Sequence, residues 1–441
     1  MTRYWAAAAW SGSEEIRDVE IDVAGGRIDR VQVGVRPSGR AIRLPGALIP
    51  GLVNAHSHVF HRAMRGRTGG NNFWSWREEM YRIARLLDPD SYRRLAAAVF
   101  TEMALAGITA VGEFHYLHHQ PGGRTYSDPN DMGHAVIEAA RSAGLRITLL
   151  DTCYLTADVD GSRVRGAQKR FSDRSEEWWA ERHRRLADHY AGAEDVVIGA
   201  AIHSVRAVPE TAMATVADAV DGPLHVHVSE QEAENTACLR RYGRTPTRVL
   251  SDAGVLGSAT TVVHGVHTDD ADREVLAQSG AGLCVCPSTE SGLGDGFAPT
   301  AEAAGRGIPI SIGSDSHAVI DLFAEIRSVE HNDRSRHGRR DVHDPPALLS
   351  MATADGARAL GIEPWGLTAG APADFIAVDD ASVRTVGTES VAGLAMTASA
   401  ADVTDVVAGG RRIVAHGEHV ETPDAAAALG AAIAVLWDAR L

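Results

Sequence analysis

Eight short apolar runs, spaced from about residue 48 to 330 and separated by longer stretches with helical signals, constrain this chain more than any other feature. They fall at 47–55, 108–114, 146–153, 196–202, 223–228, 260–266, 282–286 and 309–313. Most are continuous Val/Ile/Leu/Ala runs, the pattern of strands buried on both faces in a parallel sheet. Helix starts lie between them. Asp88-Pro89 and Pro209-Glu210 place a proline at a first turn, and Thr268-Asp269-Asp270 offers a capping side chain. Eight strand–helix pairs in about 280 residues predict a (β/α)8 barrel, which typically needs ~250 residues. A doubly wound open sheet is the competing arrangement.

The two ends have a different texture. Residues 1–46 alternate apolar and polar around Gly25-Gly26, and residues 366–422 do the same, as short antiparallel strands would. Neither end is large enough to hold a good core alone. Both are therefore expected to pair into one small β-sandwich domain. The predicted organisation is 1–46 as its first part, 47–365 as the barrel, and 366–441 as its second part with a closing helix over 425–441 capped by Asp424.

Charge and composition exclude several partners. With 43 basic and 58 acidic residues the formal charge is −15, so a phosphate backbone is repelled and nucleic acid is not expected. The basic stretch from Arg334 to Arg340 reads as a solvated loop. The run from Trp5 to Trp10 is far shorter than the ~20 residues a membrane-spanning helix needs, and no basic leader precedes it. No membrane partner is expected, and the predicted location is the cytoplasm. Four scattered cysteines do not make a disulfide scaffold. Cys284 and Cys286 read as buried thiols of a strand.

The chemistry concentrates at strand ends. His56-Ser57-His58 closes the first apolar run, and alternate residues of a strand share a face, so both imidazoles project to one side. His227 and then Glu230 end the fifth run, His264 the sixth and Asp315 the eighth. At the C-terminal ends of barrel strands all of these meet at the mouth, where barrel active sites sit. One His-x-His pair is a weak signal, but four coordinated placements point to a metal site. His225 lies two residues deeper and reads as a core histidine. His267, His317 and the His118-His119 pair read as structural or loop residues. Glu230 also fits a helix N-terminal carboxylate stabilised by the dipole.

On Pro50-Gly51-Leu52-Val53-Asn54-Ala55-His56-Ser57-His58, the His-x-x-Glu after the fifth run, His264 and Asp315, the chain resembles the amidohydrolase superfamily. Within it, the stretches 61–66 (HRAMRG), 73–82 (FWSWREEMYR), 113–119 (EFHYLHH) and 203–208 (HSVRAV) resemble the formimidoylglutamate deiminase family of histidine degradation. The resemblance covers essentially the whole chain. It implies one divalent metal, zinc foremost, held by His56, His58, His227 and Asp315; iron, manganese or nickel suit similar ligands. It implies that Glu230, His264 and Asp315 divide the proton transfers. The implied reaction converts N-formimino-L-glutamate and water to N-formyl-L-glutamate and ammonia. The small-molecule substrate has two carboxylates, which the resemblance gives to Arg82 and Arg206, with Tyr116 and His203 adding hydrogen bonds. His61 stands where that family often carries Gln, a departure at a substrate-binding position. Trp74 and Trp76 are expected to pack a loop over the pocket. A homodimer is the implied assembly. Two other functions remain open on the residues alone: a deaminase of a purine, pyrimidine or related ring amidine, and a non-catalytic binding protein on the same barrel.

Overall fold

The computed structural model describes residues 2–67 and 73–438, with the side chains of Phe73 and Trp74 left out. Among these residues eight parallel strands form one sheet in sequence order: β1 (Leu52–Ser57), β2 (Ile108–His115), β3 (Arg146–Cys153), β4 (Val196–Ser204), β5 (Leu224–Val228), β6 (Thr260–His264), β7 (Gly282–Val285) and β8 (Ile310–Ile312). A parallel bridge between Ser57 and Asp315 brings the last strand back to the first. His58 N donates to Asp315 O at 3.1 Å and Asp315 N to His56 O at 3.0 Å, so closure is made by the residues that carry the chemistry. The open doubly wound alternative is excluded.

The expected helix starts form as read. Asp88 caps Pro89–Leu105 by accepting from Ser91 N, and the Ser91 hydroxyl in turn accepts from Asp88 N. Asp269 caps Asp270–Ser279 in the same way. Pro209 precedes Glu210–Asp218. Among the described residues no helix is long and apolar enough to cross a membrane. The stretch from Arg334 to Arg340 begins as the last turn of helix Leu322–His337, where Arg334 pairs with Glu330 and Asp341, and Arg336 with Glu302.

Both chain ends pair into one mixed sheet of nine strands among the described residues. Thr2–Trp10 lies between Glu15–Ala24 and Ala47–Pro50, and Phe375–Val378 joins the C-terminal hairpins to Ala47–Pro50. The sheet curls over its own core, which includes Tyr4, Ile21, Ile28 and Phe375. Its two flanks meet where Ala373 N donates to Gly26 O and Tyr4 hydroxyl to Gly410 O. The apolar run 47–55 is thus divided: Ala47–Pro50 belongs to this sheet and Leu52–Ser57 to the barrel. Pro50 lacks an N–H to continue a ladder, and Gly51 turns the chain where a Cβ would run into the Thr109 side chain. Helix Ala425–Asp438 closes the chain, with Ala427 N donating to Asp424. Residues 439–441 of the helix expected from sequence lie outside the described residues.

Candidate metal centre and substrate cleft

The strand ends deliver their side chains as the spacing requires. His56 and His58 leave β1 on one face, and His227 enters from β5 just after a register shift against β4 that re-aims it. His56 Nε2 stands 3.4 Å and His58 Nε2 3.3 Å from Asp315 Oδ1, and His227 Nε2 lies 3.1 Å from His56 Nε2. His58 Nδ1 donates to Phe114 O and His227 Nδ1 to His203 O, both at 3.0 Å. Those two bonds fix the tautomers and leave each Nε2 as a lone pair. His56, His58 and Asp315 bring one donor atom each within 4.8 Å of one another in a buried space, as do His56, His227 and His264, and the donors around His56 fit a divalent cation of the zinc type. Burial pushes His56 down to about 4 and His58 to about 3, so both rings are neutral and ready to ligate at neutral pH. Burial also works against ionising Asp315, but His56, His58 and His264 outweigh it and hold the carboxyl well below its usual range.

Two further groups stand beside these donors. Glu230 faces His264, with 4.0 Å between Oε1 and Nε2, and accepts from Arg206 Nη2 at 3.3 Å. Burial disfavours a charged His264. The carboxylates of Glu230, Glu290 and Asp315 prevail and push it up to about 10. Backbone geometry at the mouth is unusual: Ser229, His264, Asp315 and His317 are non-glycine residues in the left-handed region, with φ of 52°, 71°, 43° and 59°. Residues held there cluster at functional sites, where neighbours over-determine the strain. Beneath the ligands, Ser57 hydroxyl donates to Glu113 at 2.6 Å, and His317 lies between Ser57 and Ser314. Glu113 also accepts from Val59 N at 2.8 Å, tying β2 to the chain just beyond His58.

The cleft above the donors gathers most of the other expected residues. His61, Trp76, Tyr116, His203 and Arg206 line it with His58, His227, Glu230, His264 and Asp315. His61 Nε2 lies 2.8 Å from Tyr116 hydroxyl. Trp76 packs its ring edgewise on His61 with centroids 5.0 Å apart, whereas the Trp74 side chain lies outside the described residues. Arg82 is not among the residues that line the cleft. Its guanidinium sits 3.9 Å over the Trp437 ring of the C-terminal helix and pairs with Glu79 at 3.0 Å. Five residues turn a helix through about 500°, so Arg77 and Arg82 face different sides of Phe73–Leu86. The side toward the cleft carries Arg77, Met80 and Tyr81, which the sequence reading missed. Their i, i+3, i+4 spacing was the available signal. Tyr154 and Phe171, from the loops after β3, complete an aromatic wall.

His225, His118 and His119 hold buried partners away from the donor cluster. His225 Nε2 donates to Ala359 O at 2.8 Å. His118 donates to Thr152 O, and His119 lies against Asp173 within a buried network around Arg182. All four cysteines are buried and unpaired.

A closed parallel barrel that gathers imidazole and carboxylate donors at its C-terminal mouth is the build of a metal-dependent hydrolase. The Amidohydrolase family matches residues 47–413, and the chain belongs to that family. It is 36% identical to formimidoylglutamate deiminase of Pseudomonas aeruginosa, over 91% of this chain and 92% of that one. It is 29% identical to 5-methylthioadenosine/S-adenosylhomocysteine deaminase of Halobacterium salinarum, over 93% and 91%. Among solved structures, an amidohydrolase from Brucella melitensis superposes with a TM-score of 0.93 at 32% identity, over 99% of this chain and 100% of that one.

Proposed function

We propose that the protein hydrolyses N-formimino-L-glutamate to N-formyl-L-glutamate and ammonia, with one divalent metal ion, zinc, as cofactor. The observation that carries this reading is the pairing of two arginines, Arg77 and Arg206, with the donor cluster and Glu230 in one cleft. Guanidinium groups match carboxylates through two parallel N–H bonds, and a glutamate body presents two carboxylates. The 36% identity over nearly the whole length to a protein named for this activity supports it.

His56, His58, His227 and Asp315 would hold the ion, which when bound supplies Lewis acidity and lowers the pKa of water toward ~7. Glu230 accepts a proton from the attacking water and delivers one to the departing nitrogen; a C–O bond forms, a C–N bond breaks, and nitrogen leaves as ammonia. His264, set between Glu230 and Glu290, faces the negative charge that develops at the reacting carbon. Asp315 is the third group in reach of the transferred proton. Arg206 spans Glu230 and Glu234 and has N–H groups left for a substrate carboxylate. Tyr116 and His203 add hydrogen bonds on the same side.

The aromatic wall and the likeness to a nucleoside deaminase favour a second reading, the deamination of a purine ring. Ammonia release by the zinc-loaded protein decides between them. Turnover of N-formimino-L-glutamate well above N-formimino-glycine, adenosine and guanine is expected. Turnover of a purine with none of the linear amidine would overturn the assignment.

A further inference from the structure

The short helix Pro287–Leu293 that follows β7 carries a buried carboxylate which none of the metal donors uses. Glu290 is 2% exposed, and its Oε1 accepts from His264 Nδ1 at 3.3 Å and from Cys286 N at 2.8 Å. The second bond anchors the carboxylate to the end of β7, so its position is set by the barrel rather than by a mobile loop. The first leaves His264 one ring orientation, with Nδ1 held on Glu290 and Nε2 turned toward Glu230. His264 also needs holding, because its backbone sits in the left-handed region at φ 71° and is followed by Gly265 at φ 60°. The same segment reaches the other proton-transfer group. Asp295 is buried, its backbone N donates to Glu290 O at 2.9 Å, and its side chain accepts from Gln231, the neighbour of Glu230.

We infer that Glu290 is a positioning residue, which aims His264 at the reacting centre, and that Asp295 steadies the Glu230 turn from the same loop. The inference rests on the reading above only in making His264 part of the chemistry; the geometry of the Glu290–His264 pair stands apart from the substrate's identity. Carboxylates behind metal-ligating histidines typically govern metal affinity or activity by about 10- to 100-fold, and the same range is taken for a carboxylate that orients His264.

The test uses the full zinc-loaded chain with Glu290→Ala and Glu290→Gln. Glutamine keeps an oxygen acceptor for both N–H groups, whereas alanine leaves His264 Nδ1 and Cys286 N without one. The expected result is a kcat lowered about 10- to 100-fold in the alanine variant, with KM within threefold and zinc content unchanged. The glutamine variant should recover most of that loss. A second readout needs no substrate: 15N-histidine spectra, with His264→Asn to assign the signal, should show a protonated, hydrogen-bonded Nδ1. Its hydrogen-bonded shift should persist in Glu290→Gln and be lost in Glu290→Ala. An unchanged signal in a folded Glu290→Ala protein would overturn the inference whatever the substrate, as would wild-type kcat in that variant or a loss that tracks zinc content. A wild type inactive on N-formimino-L-glutamate with the spectral change intact would overturn the substrate reading alone.

Discussion

Replacing Gly313 by alanine tests how the barrel's closure sets the metal centre. Gly313 follows β8, two residues before Asp315, and its φ is ordinary, so the effect of a methyl group there is steric. A Cβ would stand 2.6 Å from His56 Cβ, 2.8 Å from His56 O and 2.9 Å from Cys286 Sγ. Carbon atoms pack best at ~3.5–4.0 Å, so His56 and β8 must part by about 1 Å. Two of the three contacts are backbone or Cβ atoms, which no rotamer change can move. Overpacking of this kind costs about 1–3 kcal/mol. The site is affected more than the fold, because metal–ligand distances tolerate only about 0.2 Å, and a misplacement of about 1 Å at a reacting centre costs ~100-fold. Gly199→Ala is the matched control. Its Cβ would meet Pro223 O at 2.8 Å and Pro223 Cγ at 2.9 Å, lower on β4 and four residues before His203. Denaturant unfolding of metal-free protein and zinc competition with a chromophoric chelator measure the two quantities. Both variants should lose comparable stability, and only Gly313→Ala should lose zinc affinity, by tenfold or more. Equal zinc affinity in the two variants would refute the link between closure and the metal centre.

Other outcomes follow from the geometry. Arg206→Ala removes a charged hydrogen-bond donor worth about 1.5–3 kcal/mol and should lower kcat/KM roughly 10- to 150-fold; Arg77→Ala should raise KM, and Arg82→Ala, acting on Trp437, should leave both constants within threefold. In the buried network, burial opposes ionising Asp173, but Arg182 and His119 prevail and hold it at about 2, with Asp151 lower still. Both folded values lie below the unfolded ~3.8, so their stabilisation is present above that pH and is lost as pH falls through the folded values; Arg182→Met should shift acid unfolding of the metal-free protein to higher pH, seen by circular dichroism. Removing the metal with a chelator should lower Tm, and zinc should restore it. The metal-free protein should also weaken as pH falls from ~6.5 toward 4, because the unfolded chain takes up protons that His56 and His58 refuse.

The barrel was legible because strands buried on both faces need unbroken apolar runs, and the donors because strand ends are the one place where such runs turn polar. His56, His58, His227, Glu230, His264 and Asp315 all lie where that logic puts them. Arg82 shows where the logic ends. A helix that is amphipathic on more than one side does not declare its rotation, and Arg82 was assigned through a motif whereas the i, i+4 partner of Tyr81 is Arg77. The run at 47–55 misled in another way, since Pro50-Gly51 was the only mark of a strand changing sheets. Glu290 had no sequence signal, because an acidic residue in the first turn of a helix ordinarily reads as solvated.

The sheet shared by both chain ends has a bearing on biosynthesis. Ala47–Pro50 pairs with Phe375–Val378, and about 325 residues must be translated between them, which takes about 16–65 s at ~5–20 residues per second. Throughout that interval the nascent chain carries an open β edge of four buried residues, the kind of edge that invites pairing with another chain. Barrel closure needs only β1 through β8 and can come first, leaving the terminal sheet as the last element to be sealed.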